Sequence, residues 1–207
     1  MFTANTLYMH TRYSLVLATR NSGKVKEMRS LLNQLPLTLH AVSDFPDAPL
    51  VEEDAPTLKG NAHKKAEALF IHTGFAALAD DTGLEVEALD GQPGVHSARF
   101  ASPDATDGDN RRHLLAQLDG HGNRAARFRT VIAFVEQEGT HYFEGVCEGH
   151  ILDAERGDGG FGYDALFQPV GYDCTFAELS REEKNAISHR GRAVRAFVAF
   201  LQRRYAR

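Results

Sequence analysis

The hydrophobic positions of this chain change several times from the spacing of strands to the spacing of helices. An apolar run at 14–18 predicts a strand, and the segment after it repeats apolar residues every three or four positions: Val25, Met28, Leu31, Leu32 and Leu35. Pro36 ends this predicted helix, and a short strand is expected at 37–42. A further helix is predicted at 57–72, with Gly74 as its C-terminal stop. The chain therefore begins with strand, helix, strand and helix.

The remainder combines strands and helices in the same way. Two short strands flank the pair Asp80-Asp81, with a turn expected at 82–83, and a helix is predicted at 109–119. Two longer strands rich in β-branched and aromatic residues predict a hairpin, "RFRTVIAFVE" and "HYFEGVCEGHIL". A last helix is expected over about 183–203. Strands and helices mixed without an internal repeat predict an α/β fold with a mixed sheet, whose strand order the pattern leaves open.

Composition and charge narrow the class of protein. The chain has 207 residues, 43% hydrophobic and 25% charged, which suits one globular unit. Its net charge of -5 predicts no general attraction to nucleic acid or to an anionic membrane, so any phosphate binding must be local. The first residues, "MFTANTLYMHTR", lack the apolar segment of a signal peptide, and no apolar run approaches the roughly 18 residues that span a bilayer. We therefore expect a soluble, cytoplasmic protein.

Cysteine and histidine spacing argues against two kinds of site. Cys147 and Cys174 lie far apart and form no Cys-x-x-Cys motif, so neither a disulfide framework nor a zinc site is indicated. The ten histidines include no His-Glu-x-x-His motif. A zinc enzyme is therefore not expected.

The stretch "ATRNSGK" at 18–24 lies where the first strand passes into the first helix. It is not a P-loop, because Ala18 replaces the first glycine of that motif and Val25 replaces its Ser or Thr. The start of a helix nevertheless leaves backbone N–H groups unpaired, and Asn21 or Ser22 is suited to cap it. Lys24 adds a positive charge in the first turn. The stretch is either a local phosphate site or a capped helix with a solvated lysine.

Asp80-Asp81 is a candidate magnesium site, because two neighbouring carboxylates at a strand end require solvent, a cation or a basic partner. Magnesium uses one or two protein carboxylates and completes its ligands with phosphate and water. Glu52 and Glu53, in the acidic loop before the second helix, are the candidate complements. The alternative is an Asx turn before 82–83.

Two further clusters bring glycines, aromatic rings and donors together. "GDGGFGYD" places Phe161 and Tyr163 among glycines, which allows a flat ligand to approach the backbone and stack on a ring. "EEKNAISHR" brings Lys184, His189 and Arg190 close in sequence. A flexible loop and a solvated helical face are the respective alternatives.

Five stretches together resemble the inosine/xanthosine triphosphate pyrophosphatase family, from about Ser14 to Leu201: "LVLATRNSGKVKEMRSLL", "GNAHKKA", "TGFAALADDTGLEVEALDGQPGVHSARF", "GDGGFGYDALF" and "TFAELSREEKNAISHR". The resemblance implies an elongated mixed sheet flanked by helices, in two lobes with a central substrate cleft, and usually a homodimer. It also implies a single domain at 14–207, preceded by an extension at 1–13. The implied reaction is magnesium-dependent hydrolysis of ITP, dITP and XTP to the monophosphate and pyrophosphate. Hydrolysis of other modified triphosphates, or nucleotide binding without catalysis, are the alternatives.

The resemblance assigns roles to individual residues. Asp81 is the implied catalytic proton acceptor, and Asp81 with Glu52 the implied metal ligands. The implied substrate contacts at the phosphates and beside the metal are Thr19, Arg20, Asn21, Ser22, Gly23, Lys24, Lys65 and Thr82. Those that close on the base are Phe161, Gly162, Tyr163, Asp164, Lys184, His189 and Arg190. The chain departs from the family pattern at Gly60, where many members have a glutamate, and at Ala165, where a proline is frequent.

Overall fold

A computed structural model describes residues 13–33 and 35–205. Its centre is one six-stranded sheet in the order β2-β1-β3-β4-β5-β6. The strands are β1 (Tyr13–Leu17), β2 (Leu37–Ala41), β3 (Ala76–Val86), β4 (Ala125–Glu136), β5 (Gly139–Ile151) and β6 (Phe167–Pro169). β1 pairs in parallel with β2 and β3, and the other pairs are antiparallel. The predicted mixed sheet is confirmed, whereas most of the expected extension at 1–13 lies outside the described residues.

The sheet is flanked by α-helices on both faces. They are α1 (Ser22–Leu32), α2 (Leu58–Thr73), α3 (Asp107–Gln117), α4 (Arg181–Ile187) and α5 (His189–Tyr205). The predicted cap at Asn21 and the predicted stop at Gly74 are confirmed, whereas α1 ends at Leu32, before Pro36. The side chain of Asn21 caps α1 by accepting from the Lys24 N–H at 3.0 Å, and that of Thr57 caps α2 by accepting from Gly60 at 3.0 Å. Gly74 ends α2 in a left-handed conformation with φ of 70°.

The alternation of side chains along β3 decides which helix each residue meets. Leu78 faces a core formed with α1 and α5, which includes Met28 and Phe197. Ala77 and Ala79 face α2, whose Ala62 belongs to the opposite core. A third core forms toward the other end of β3 and contains Leu84, Val86, Phe128, Phe167 and Phe176. Residues 80–82 lie between these cores, at the middle of the strand.

The turn expected at 82–83 is wrong, because β3 continues through it. Thr82 and Gly83 pair with Thr130 and Arg129 of β4. Gly83 serves close packing instead, since a Cβ there would lie 2.5 Å from the backbone oxygen of Gly94. The 3₁₀ segment Gly94–Arg99 therefore packs directly on the strand. The Asx-turn interpretation of Asp80-Asp81 is wrong for the same reason.

The single C-terminal helix expected at 183–203 is two helices. Ser188 separates α4 from α5, with an extended backbone of ψ 158°. Its side chain accepts the Gly191 N–H at 3.1 Å, which caps the start of α5. Gly191 packs against the end of α4, where a Cβ would lie 1.9 Å from the backbone oxygen of Asn185. The break brings Lys184 and His189, from two helices, to one cavity.

Candidate active site

A cavity of about 490 Å³ lies between the cores and is lined by most of the residues that the sequence predicted for the site. Its wall is built from the turn between β1 and α1, the acidic loop at 45–57, β3, the segment Gly94–Arg99, the glycine-rich loop and the break between α4 and α5. The predicted residues that line it are Thr19, Arg20, Asn21, Lys24, Lys65, Asp81, Thr82, Phe161, Gly162, Tyr163, Asp164, Lys184, His189 and Arg190. Ser22, Gly23 and Glu52 are not part of this wall.

The turn after β1 presents the start of α1 to the cavity. The Ala18 N–H donates to Leu78 at 2.8 Å, which fixes the end of the strand. The hydroxyl of Thr19 accepts from the Asn21 N–H at 3.3 Å. Gly23 lies under the ring of Phe161, because a Cβ would be 2.7 Å from that ring. The turn can therefore offer N–H groups and the Lys24 ammonium to an anion, while Phe161 covers it.

Asp80 is a buried carboxylate on the α1 and α5 side of the sheet, where it pairs with two cations. Its Oδ2 lies 3.1 Å from Lys24 Nζ and accepts from Arg190 Nε at 3.2 Å. Burial alone would raise the pKa of Asp80, but Lys24 and Arg190 hold it well below its usual value. Its other oxygen, Oδ1, is buried without a partner among the described residues.

Asp81 faces the opposite side of the sheet and has the opposite electrostatic character. Its Oδ1 lies 3.3 Å from Lys65 Nζ, and its Oδ2 accepts from Asn61 at 3.2 Å. Burial raises the pKa of Asp81, and the neighbouring carboxylate of Glu53 raises it further, against the attraction of Lys65 and Lys24. A carboxylate whose pKa is raised accepts a proton more readily than an ordinary one.

Lys65 joins this carboxylate to the acidic loop. Its ammonium donates to the Asp80 backbone oxygen at 2.8 Å and to Glu53 Oε2 at 3.0 Å. Burial opposes its charge, but Asp81 and Glu53 together raise the pKa of Lys65. The structure thus places Glu53 beside Asp81, whereas Glu52, which was chosen from the sequence, has an exposed side chain. Neighbouring residues of an extended loop point in different directions, so only one of the two reaches the cavity.

Lys184 and Arg190 meet at one buried carboxylate, Glu27 of α1. Lys184 Nζ lies 2.7 Å from Glu27 Oε1 and 2.6 Å from Asp164 Oδ2. Arg190 donates to Glu27 Oε2 and, through Nη2, to the hydroxyl of Thr82 at 3.2 Å. Burial alone would raise the pKa of Glu27, but Arg190 and Lys184 lower it. The two cations are therefore held in fixed positions at this end of the cavity.

His189 completes that end as a neutral ring. It stacks on Phe128 with the ring centroids 4.6 Å apart. Burial, together with the charges of Arg190 and Lys184, lowers the pKa of His189 well below its usual value. Its Nδ1 is buried and has no hydrogen-bond partner in the described part of the chain. His189 also lines the cavity, so this end of the site contains a polar ring atom whose hydrogen-bonding capacity is unused in the described residues.

The sequence interpretation missed several residues of the site. Glu27 lies next to Met28 on the buried face of α1, a position that hinted at burial but not at a partner. Asp107, at the start of α3, accepts the Gly162 N–H at 2.7 Å and holds the glycine-rich loop. Arg99 donates to the Glu53 backbone oxygen at 2.8 Å. Arg99 lies in the stretch "GVHSARF", which is part of one of the five motifs, but the resemblance assigned no role to this arginine.

The donor set can be tested against a metal ion. Within the described ranges, no group of three or more His, Cys, Asp or Glu side chains could hold an ion on its own. Magnesium does not require one, because phosphate oxygens and water supply most of its ligands. Asp81 and Glu53 are neighbouring carboxylates that share one lysine, and both line the cavity. The site fits a hard divalent cation that arrives with a phosphorylated ligand.

Fold and site together define an α/β protein with an internal cleft for a phosphorylated ligand. The chain belongs to the Ham1 family, whose sequence model matches residues 15–200. This confirms the resemblance drawn from the five motifs. In the described part of the chain, no helix is long and apolar enough to cross a membrane.

Similar proteins cover nearly the whole chain. The dITP/XTP pyrophosphatase of Desulforamulus reducens is 51% identical over 194 residues, which are 92% of this chain and 96% of that protein. The dITP/XTP pyrophosphatase of Geobacter sulfurreducens is 51% identical over 183 residues, 87% of this chain and 92% of that protein. The structure of a HAM1 protein from Coxiella burnetii superimposes with a TM-score of 0.85 at 40% identity, covering 92% of this chain and 99% of the other.

Proposed function

We propose that this protein hydrolyses the deaminated purine nucleoside triphosphates ITP, dITP and XTP to the nucleoside monophosphate and pyrophosphate. One observation carries the proposal: a single cavity joins the start of α1 and the Asp81–Lys65 pair to an end walled by Lys184, His189 and Arg190. The names of the relatives support it, since dITP/XTP pyrophosphatases match most of the chain. The reaction removes these nucleotides from the nucleotide pool.

The phosphate end supplies positive charge and alignment. The N–H groups at the start of α1 and the Lys24 ammonium bind the phosphate chain, as their position at a helix N-terminus favours. Lys65 faces the same space from α2 and stabilises the charge that develops as water attacks and the bond between the α- and β-phosphates breaks. Phosphoryl transfer needs such positioning more than covalent help. Gly23 lets the Phe161 ring lie over the turn and exclude water.

Asp81 is the proton acceptor in this proposal. Its raised pKa, caused mainly by burial, suits a group that takes a proton from the attacking water. Lys65 and Asn61 hold its two oxygens, which fixes the direction from which a proton can be taken. Asp80 cannot replace it, because Lys24 and Arg190 stabilise its ionised form.

A divalent cation, magnesium, belongs to the same proposal, with Asp81 and Glu53 as its protein ligands. When bound, it neutralises charge on the phosphates. The assignment of Glu53 replaces that of Glu52, because Glu53 lines the cavity and Glu52 does not. Lys65, which lies between the two carboxylates, keeps them in place when no ligand is bound.

The far end of the cavity favours a 6-oxo purine. Lys184 and Arg190 are donors only, and both are positioned by Glu27. Hypoxanthine and xanthine carry an acceptor at position 6, whereas adenine carries an amino donor there. An amino group there would face these donor-only cations and offer them no acceptor, which disfavours adenine.

A homodimer in the cytoplasm, without nucleic acid or membrane partners, is the accompanying proposal and rests on the family resemblance. Light scattering of the purified protein tests the dimer. The reaction itself is tested by incubation with ITP, XTP, GTP and ATP, with and without magnesium, scoring pyrophosphate against orthophosphate. Pyrophosphate from ITP and XTP, with little from ATP and GTP, is the expected result. Orthophosphate, or no product at all, would contradict the proposal.

A further inference from the structure

The lysines and arginines that line the cavity differ in how their charges are balanced. Six lysines and arginines line the cavity: Arg20, Lys24, Lys65, Arg99, Lys184 and Arg190. Four are neutralised inside the protein. Lys24 pairs with Asp80 and Lys65 with Glu53 and Asp81, while Lys184 and Arg190 share Glu27 and pair further with Asp164 and Asp80. Each of these four cations therefore already has a carboxylate partner within the protein.

Arg20 and Arg99 are different, because neither forms an ion pair with a carboxylate in the described residues. Arg20 Nη2 donates to the Ala48 backbone oxygen at 3.2 Å, and Arg99 Nη2 donates to the Glu53 backbone oxygen at 2.8 Å. Both contacts are to the acidic loop, one from the turn after β1 and the other from the segment Gly94–Arg99. They are therefore the cavity's uncompensated positive charges among the described residues.

Arg99 is held on a rigid base. The Ser97 hydroxyl accepts the Leu84 N–H at 2.9 Å and donates to Gly94 at 2.6 Å. The Tyr163 hydroxyl donates to the Ser97 backbone oxygen at 2.9 Å, and Asn110 donates to the next carbonyl at 3.1 Å. Three parts of the fold thus fix the backbone that precedes Arg99. A guanidinium on so fixed a segment is pre-organised for binding.

The hydrogen bond to the Glu53 carbonyl uses one of the several N–H donors of the Arg99 guanidinium. A guanidinium carries several N–H donors in a planar fork, which matches two oxygens of a phosphate. The Glu53 contact occupies Nη2 and places the group next to the Glu53–Lys65–Asp81 cluster, at the reaction end of the cavity rather than at the base end. A guanidinium with unused N–H donors in that position is suited to bind an anion.

We propose that Arg99 is a substrate-binding residue that contacts the phosphate chain beside Asp81 and stabilises the charge on the departing pyrophosphate. The inference rests on the proposed function for the identity of the phosphate. Arg20 supplies the matching contact from the turn after β1. Through its bond to Glu53, Arg99 also keeps the acidic loop in register with the phosphates it binds.

The test compares Arg99→Ala, Arg99→Gln and Arg99→Lys with Arg112→Ala, a control at an exposed arginine of α3. Calorimetry with inorganic pyrophosphate, in magnesium buffer, measures the phosphate contact, and titration with inosine measures the base site alone. Arg99→Ala and Arg99→Gln should weaken pyrophosphate binding on the order of 10-fold or more, with inosine binding unchanged. Arg99→Lys should lie between them and the wild type, and kcat/KM for ITP should follow the same order.

Arg99→Gln separates contact from positioning, because it retains an N–H donor for the Glu53 carbonyl but has no charge. Wild-type pyrophosphate affinity and kcat/KM in this variant would overturn the proposal, and so would a wild-type protein that does not bind pyrophosphate. If Arg99→Ala does not fold, as judged by circular dichroism, the Lys and Gln variants still decide between charge and donor. If the wild-type protein fails to hydrolyse ITP but binds pyrophosphate through Arg99, the proposed function is contradicted, whereas the anion-binding role of Arg99 is supported.

Discussion

Glu27 Oε1 lies 2.7 Å from Lys184 Nζ, which joins residues 157 positions apart in the chain. The same carboxylate accepts from Arg190, so α1 is tied to both α4 and α5 through one side chain. Glu27 is only 7% exposed, and each of its oxygens has a cationic partner. Removal of its charge would leave two buried cations under-compensated, which is the costly way to break an ion pair.

Glu27→Gln should therefore lower the free energy of unfolding by about 3 kcal/mol, within the usual range for breaking a buried pair. Urea denaturation at pH 7 measures it. Glu67→Gln is the matched control, because Glu67 is an exposed residue of α2 whose ion pair is a surface contact with His63 and should change stability by less than about 0.5 kcal/mol. Equal effects of the two substitutions would contradict the assignment.

The effect of Glu27 should also depend on pH. Its pKa in the folded protein lies below the usual value of 4.5, so its contribution to stability is present above that value and is lost as pH falls toward the folded pKa. The difference in unfolding free energy between wild type and Glu27→Gln should thus be full at pH 7 and shrink below about pH 4.5. Denaturation series at both pH values measure the difference, and a difference that grows in acid would refute this sign.

Asp81→Asn should abolish turnover while preserving the fold. Loss of a general base typically costs about 10²- to 10⁴-fold in rate, and we expect kcat for ITP to fall at least that far. Binding of ITP, followed by calorimetry, should remain measurable because Lys24, Lys65 and the helix start are unchanged. Asp104→Asn, at an exposed position outside the cavity, is the control. Full activity in Asp81→Asn would remove this residue from the mechanism.

Glu53→Gln and Glu52→Gln form a matched pair that tests the metal carboxylate. Glu53→Gln should raise the magnesium concentration for half-maximal activity on the order of 10-fold or more, whereas Glu52→Gln should behave as wild type. Calorimetric titration with magnesium chloride gives a second readout that does not depend on turnover. A larger effect of Glu52→Gln than of Glu53→Gln on the magnesium requirement would instead assign Glu52 as the metal ligand.

Gly83→Ala should destabilise the protein by about 2 kcal/mol, because its Cβ would lie 2.5 Å from the Gly94 backbone oxygen and a backbone segment must move. Gly122→Ala is its control, since nothing lies within 4 Å of the added Cβ. That substitution should stay within about 0.5 kcal/mol of wild type. Thermal unfolding of the two variants, side by side, measures both.

Local signals predicted the first part of the fold well. The apolar spacing of α1, its cap at Asn21 and the stop of α2 at Gly74 are all short-range features that the sequence states directly. The turn expected at 82–83 failed because a glycine in a strand and a glycine in a turn look alike in one sequence. Only the approach of Gly94, determined by the tertiary fold, distinguishes them.

The site was predicted in part for a related reason. Lys65 and Asp81 could be assigned by resemblance, but the choice between Glu52 and Glu53 depends on which side chain the loop turns inward. Glu27 could not be assigned at all, because its partners come from helices at the other end of the chain. The break at Ser188 was hidden by helix-forming neighbours on both sides.

Asp80 and Asp81 are adjacent on one uninterrupted strand, so the pleat sends their carboxylates to opposite faces of the sheet. The sheet therefore separates their surroundings. Lys24 and Arg190 lower the pKa of Asp80 on one face, whereas Asp81, beside Lys65 on the other face, has a raised pKa. A slip of β3 by one residue against β4 would turn each carboxylate to the other face of the sheet, so that neither acid would keep its present partners. The ten-residue pairing of β3 with β4, from Ala77 with Val135 to Val86 with Ala126, is in this sense a component of the catalytic apparatus.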